Sequence, residues 1–466
     1  MAKQQLELNG SRSEFNFRGC LVVLASFICN GLVFGFINSY SVTYAHLKEK
    51  MESAGDKESA SKAALVGSLT MGTTFLMSPV AGVLTDHIGI RLTTFAGGVI
   101  ACCSLLLSSF FTNDVEVLYV TYGLLYGIGA SLAYTPSLAI LGHYFKNYIG
   151  LVNGIVTAGS SFFTMVLPYL VGYLLNNFGF SNCLRWEAAL TSILIISSLA
   201  FKPTYKIEKP DINKSISEEL KSLVNIDVWK NPKYIIWATM IPLALFGYFV
   251  PYVHLVEFVK SKFPGSDGKI LVTCIGISSG IGRLVSGPIS DLKKANRIMM
   301  QQISLIVIGL MTMCMIWVPH FTILVLITLI LGLADGCFVS VMGPIAFDLC
   351  GQKGTAQAIG CILGLCSIPL TVGPPVAGWM FDKNQSYDGA FMLAGVPPII
   401  FGACLSSISY VSSKEMNNVN RGFKGPKLIN QTSELLEPEG KQNHNYKDNE
   451  QRPLLNPKNL VPKYSH

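Results

Sequence analysis

Along most of this chain apolar residues do not alternate with polar ones. They run in blocks of about 20, the length a helix needs to cross a hydrocarbon core. Twelve blocks stand at approximately residues 19–45, 63–85, 92–111, 117–141, 149–175, 186–201, 234–257, 270–290, 298–318, 322–347, 356–380 and 389–411. Every block is predicted to be helical, because in lipid a backbone group finds partners only within its own segment or a closed barrel. Polar stretches punctuate the blocks, and two are long: residues 202–233 in the middle and 412–466 at the end.

The blocks repeat. "GVLTD" at Gly82 returns as "GPISD" at Gly287, 205 residues on, and "PYLVGYLLN" at Pro168 returns as "PPVAGWMFD" at Pro374, 206 residues on. Pro136 and Pro344, in spans four and ten, stand 208 apart. A near-constant offset over three landmarks marks two halves as copies, residues 19–201 and 234–411, of six helices each. This predicts an all-α membrane protein whose two parallel six-helix halves resemble the major facilitator fold, with a solute site at mid-membrane between them. Residues 1–18 form an N-terminal segment without a signal peptide's apolar core. Residues 202–233 become the linker between halves, and the polar tail from 412 is expected to be disordered.

Composition agrees with a bilayer solvent: half of the residues are hydrophobic and only 14% charged, against about 25% in soluble domains. The net charge of +7 reads as topology. With the N-terminus in the cytosol, 25 of the 35 Lys and Arg fall on the cytosolic side and 9 outside, the asymmetry the positive-inside rule requires. Both termini are then cytosolic, and no nucleic-acid role is needed to explain the charge. Of the twelve cysteines only Cys183 is expected in an outside loop, so no disulfide framework follows. No Cys/His cluster suggests a metal, no cofactor is expected, and no catalytic constellation points to an enzyme.

Arg283, in "SSGIGRLVSGPISD", is a charge inside a span, eight residues before Asp291. At 1.5 Å per residue it lies about 12 Å deeper than that acid. Burying it unpaired in hydrocarbon costs at least about 2.5 kcal/mol, so it needs a partner. Among acids near mid-depth the reading selects one, Asp335 in "LGLADGCF". The pair is either a clamp between helices or a site for a solute's charge. His254, near the outer end of span seven, is the other titratable group assigned to the site, with a hydrogen-bonded core histidine as the alternative role. On the N-terminal half, Asn38, Tyr126, Tyr134 and Ser160 are candidate lining residues, with packing as the alternative role for the two tyrosines. "GVLTDHIGIR" supplies Gly82, Asp86 and Arg91, and its repeat supplies Gly287 and Asp291. A glycine four residues before an acid permits close helix approach; the run resembles the loop motif of major-facilitator proteins, and that resemblance implies that these five latch the halves during conformational change, with a satisfied surface turn as the alternative.

The run "GHYFKNYIGLVNGIVTAGSS" resembles the signature of the monocarboxylate transporter family, solute carrier family 16. "FGYFVPYVHL", "GRLVSGPISD", "PIAFDL" and "AGVPPII" are similar to its aromatic amino-acid and thyroid-hormone branch. The resemblance implies facilitated, sodium-independent carriage of aromatic amino acids across the plasma membrane, with Arg283 facing the substrate carboxylate, Asp335 paired to it, and His254 at the outer part of the same cavity. In the family's proton-coupled lactate carriers a lysine stands in span one and an acid four residues before the span-eight arginine; Asn38 and Ser279 stand there in this chain. That difference implies uniport of a small zwitterionic solute without a proton. Ile37 and Gly172, which replace polar or basic residues of thyroid-hormone-carrying relatives, argue against iodothyronines. The rivals are a proton-linked monocarboxylate carrier and a non-transporting sensor or scaffold; the residues do not reveal an accessory subunit.

Overall fold

A computed structural model describes residues 16–145, 149–202, 228–290, 292 and 295–408, and among them there are helices and no strands. Asp291, nearly all of the linker, the tail and the first fifteen residues lie outside the described residues, as does the side chain of Asp86.

Nine helices among the described residues are each long and apolar enough to cross a membrane, and a tenth span is the pair Ser59–Leu76 and Ser78–Thr85, bent by 42°. Two further crossings are hidden by continuity and by a break. Leu151–Ala200 folds back at Gly179, whose φ of 76° suits glycine because no side chain opposes the left-handed region. This turn divides it into spans five and six. Span seven consists of Pro232–Ala244 and Val250–Lys262, each too short to cross alone. The twelve spans of the sequence reading are therefore present. Span one starts on Asn16, whose side chain accepts the Gly19 N–H at 2.7 Å, and its two helices, Phe17–Asn38 and Tyr40–Ser53, meet at Ser39.

The repeat reaches into the turns. Gly179 joins spans five and six, and 206 residues later Gln385, with φ 52°, joins spans eleven and twelve. The same bend is thus built with glycine in one half and with a left-handed glutamine in the other.

Packing between spans relies on small residues. A Cβ on Gly97 would come within 2.6 Å of Ala133 N, and one on Gly282 within 3.1 Å of the Gly336 Cα. Spans eight (Lys269–Ser290) and ten (in Phe321–Asn384) therefore touch backbone to backbone beside Arg283 and Asp335. Each of these two residues lies fourteen positions from the first residue of its helix, so their depths match. An even number of spans returns the chain to the face from which it set out, called the terminal face below; the opposite one is the far face.

Candidate functional site

Arg283 sits at the seam between the halves, its side chain 9% exposed. Its Nη1 donates to the Thr157 carbonyl and to Ser160 Oγ, both at 2.6 Å and both on span five of the other half. Its Nη2 lies 3.8 Å from Asp335 Oδ2, an ion-pair distance that is too long for a hydrogen bond. Nε has no partner. Asp335 is thus ion-paired with Arg283, as expected, while the hydrogen bonds to the guanidinium come from neutral oxygens across the seam.

Asp335 is occupied elsewhere. Its Oδ2 accepts the Ser279 hydroxyl at 2.6 Å, and its Oδ1 accepts the Tyr248 hydroxyl. Both donors belong to its own half. An ionised carboxylate this deeply buried needs donors, and hydroxyls supply them without adding charge.

Ser160 connects several of the sequence candidates. Its hydroxyl donates to the Thr157 carbonyl at 2.9 Å and its N–H to Asn30 Oδ1 at 3.2 Å. Asn38 donates to Thr164 Oγ1 at 3.2 Å, and Thr164 in turn donates to the Ser160 carbonyl at 2.7 Å. Asn38 thus fastens span one to span five beneath the serine that Arg283 touches. Ser161 reaches across the seam to Ser279 at 3.4 Å. Tyr134, half-buried, meets Phe34 edge-on at 4.9 Å.

Two candidates are placed differently. Tyr126 is fully buried and stacks on Tyr122 at 5.9 Å, a packing contact within the N-terminal half. His254 is also fully buried: its Nε2 lies 2.9 Å from the Pro374 carbonyl, and its ring lies edge-on to Tyr44 at 4.6 Å. These contacts belong to the closed far-face end of the seam, so the histidine does not border an open cavity here.

That end is dense with bonds between halves. Lys48, 3% exposed, joins Glu257 at 3.1 Å and Glu52 at 2.6 Å, and lies 4.6 Å from the Phe381 ring centroid. Lys260 meets Glu49 at 2.8 Å, Tyr44 meets Tyr387 at 3.1 Å, and Asp382 accepts the N–H groups of Ala60 and Ser61 at 3.1 and 2.9 Å. At the terminal face the picture reverses. A Cβ on Gly82 or Gly287 would find nothing within 4 Å among the described residues, so the close approach expected at these glycines is not made in this conformation. Arg91 is exposed.

The sequence reading missed some residues. Tyr248 lies six residues before His254 in "FGYFVPYVHL" and carries no charge that would mark it among the other aromatic residues of that run. Lys48, Glu52 and Glu257 looked like span ends rather than a buried cluster. Glu187 is 2% exposed, because span six begins at the Gly179 turn rather than near residue 186, which carries this acid deeper. The same shift buries Cys183, placed by the sequence in a loop, with its thiol 3.8 Å from Glu187 Oε1.

Gly172 leaves room beside span five that the Lys269 side chain fills, its Nζ 3.1 Å from where a Cβ would stand.

Comparison with known proteins fits this architecture. The Major Facilitator Superfamily model matches residues 19–313 and 263–439. Monocarboxylate transporter 10 of Danio rerio is 44% identical over 90% of this chain and 84% of its own length. The human protein of that name is 42% identical over the same shares, and monocarboxylate transporter 12 of Xenopus laevis is 28% identical over 77% and 82%. A crystal structure of the nucleoside transporter NupG superposes with a TM-score of 0.66 at 16% identity, covering 83% of this chain and 99% of that one, a likeness of fold. With a two-half helical membrane fold and relatives this similar along nearly the whole chain, the protein belongs to the monocarboxylate transporter family of the major facilitator superfamily.

Proposed function

We propose that the chain is a facilitative, sodium- and proton-independent carrier of aromatic amino acids at the plasma membrane, with both termini in the cytosol. One observation carries the reading. Span five uses only Nη1 of Arg283, while among the described residues Nε has no hydrogen bond and Nη2 makes the 3.8 Å ion-pair contact with Asp335. The Nε–Nη2 edge is the fork which binds a carboxylate bidentately. A carboxylate docked on it would place an α-ammonium within reach of the Asp335 charge, so the pair matches a zwitterion better than a simple anion. Phe34 and Tyr134 offer ring faces for an aromatic side chain. Gly82, Asp86, Arg91, Gly287 and Asp291 act in this reading as the latch of the opposite conformation.

A second reading, proton-linked carriage of monocarboxylates, draws on the relatives' names and on one contact. Ser279 stands where the lactate carriers have an acid, and it is hydrogen-bonded to Asp335, so a titratable carboxyl does lie close to that place.

Radiolabelled tryptophan, lactate and triiodothyronine uptake, measured side by side in proteoliposomes, separates the two. The proposal expects tryptophan uptake that is indifferent to sodium and to a proton gradient. Lactate uptake driven by inward protons, with tryptophan excluded, overturns it. Arg283→Ala is expected to reduce tryptophan uptake about 100-fold or more, the order seen when a preorganised charged contact is lost, at near-normal surface expression; lost folding instead would make the arginine a clamp. Removing residues 413–466 leaves uptake intact for a carrier and abolishes function for a sensor that signals through its tail.

A further inference from the structure

The break in span seven is the least regular feature near the site. Residues 245–249 leave the helix between Pro232–Ala244 and Val250–Lys262, and Tyr248 stands in that break. Two glycines let it pass between neighbouring spans. A Cβ on Gly247 would collide with the backbone of Ala394 in span twelve, and one on Gly373 in span eleven would collide with the Phe246 carbonyl. Pro251, in the first turn of the second helix, lacks the N–H that a continuous helix would require. The Tyr248 ring is then held between Tyr252 at 5.8 Å and Phe338 at 5.9 Å, with its hydroxyl on Asp335 Oδ1.

We propose that Tyr248, together with Ser279, is a positioning residue that holds the Asp335 carboxylate back from Arg283 and thereby leaves the Nε–Nη2 edge of the guanidinium unclaimed, so that a solute's carboxylate can bond to it. The inference rests on the reading of Arg283 given above. Its physical basis is competition. Asp335 and an incoming carboxylate are the same chemical group, and the resident one has the higher local concentration. Without a restraint, Asp335 would close the remaining gap from 3.8 Å and occupy the fork itself. Two hydroxyl donors, one on each carboxylate oxygen, remove the incentive, because hydrogen bonds to a charged acceptor are among the stronger ones. Asp335 retains its charge for an ammonium while giving up its claim on the guanidinium. Neither donor crosses the seam, so this arrangement can travel intact with the C-terminal half as the halves rock, whereas the Arg283 bonds to Thr157 and Ser160 must break.

The test uses the full chain in proteoliposomes, with tryptophan as the carried solute and indole-3-propionate, which lacks the ammonium, as a competitor. Tyr248→Phe is expected to raise the tryptophan KM and the competitor's inhibition constant about tenfold, the change of one 1.4 kcal/mol preference, with the maximal rate within about twofold. Ser279→Ala moves both constants in the same direction and serves if the tyrosine variant does not fold. Adding Asp335→Asn to Tyr248→Phe removes the competing charge and restores inhibition by indole-3-propionate, which a merely structural tyrosine would not allow. Arg283-dependent uptake with unchanged constants in both single variants overturns the proposal. Uptake that survives Arg283→Ala overturns instead the reading on which it rests.

Discussion

The two ends of the seam between the halves differ in kind. At the far face, charged and aromatic groups cross it: Lys48 to Glu257, Lys260 to Glu49, Tyr44 to Tyr387, and Asp382 to the backbone at Ala60 and Ser61. At the terminal face, the repeated glycines Gly82 and Gly287 have nothing within 4 Å of a Cβ among the described residues, where a neighbour was expected. Since alternating access in this fold rocks one half against the other around a fixed site, one set of cross-seam contacts must be broken when the other is made. The conformation seen here is therefore the one with the far face bonded shut. In it the guanidinium leans on neutral oxygens of the opposite half, a bond that substrate or rocking can undo without stranding a second charge.

The comparison can be broken or sharpened by substitution. The largest effect is expected at Gly373, where a methyl group would overlap the Phe246 carbonyl at the span-seven break. Gly373→Ala should lower the yield of folded protein severely, by about 2 kcal/mol or more of stability, as overpacking against backbone does; thermal unfolding in detergent reads this directly. Next comes the far-face cluster. Glu257→Gln removes one of the two carboxylates on a lysine that is 3% exposed, and losing one partner of a buried ion pair costs on the order of 3 kcal/mol, reduced here because Glu52 remains. The closed far face should lose population, so a cysteine placed at Tyr387 should react faster with an impermeant thiol reagent. No change in that rate would remove Lys48–Glu257 from the gate. The smallest folding effect belongs to Gly82→Ala, whose added methyl meets nothing within 4 Å among the described residues. Expression and melting should stay at the parent level, while uptake falls if this glycine is packed closely in the opposite state. Parent-level uptake would argue against the latch role.

The site was partly legible in the sequence for a reason of cost. An arginine within an apolar block has to be compensated, and that requirement led to Asp335 as an acid near mid-depth; the structure agrees, since both lie fourteen residues into their helices. Ser160 followed from its place in a polar run on span five. Tyr126 and His254 were not separable from lining residues by any rule of spacing, because an aromatic or imidazole ring in a span serves packing and binding equally well. Glu187 was hidden by a boundary: the sequence shows apolar length, whereas the true start of span six is the positive-φ turn at Gly179.

Hydropathy blocks, the 205–208 residue repeat and the lone arginine determined by themselves a twelve-helix, two-half membrane fold with charge at its middle, since lipid leaves a backbone and a buried cation few solutions. Only the tertiary structure decided which oxygens share that charge, where span seven breaks to bring Tyr248 onto Asp335, and which end of the seam is closed. Hydrogen bonds between spans join residues far apart in sequence, such as Arg283 with Thr157, and their geometry depends on helix rotation and on backbone breaks that no local pattern encodes.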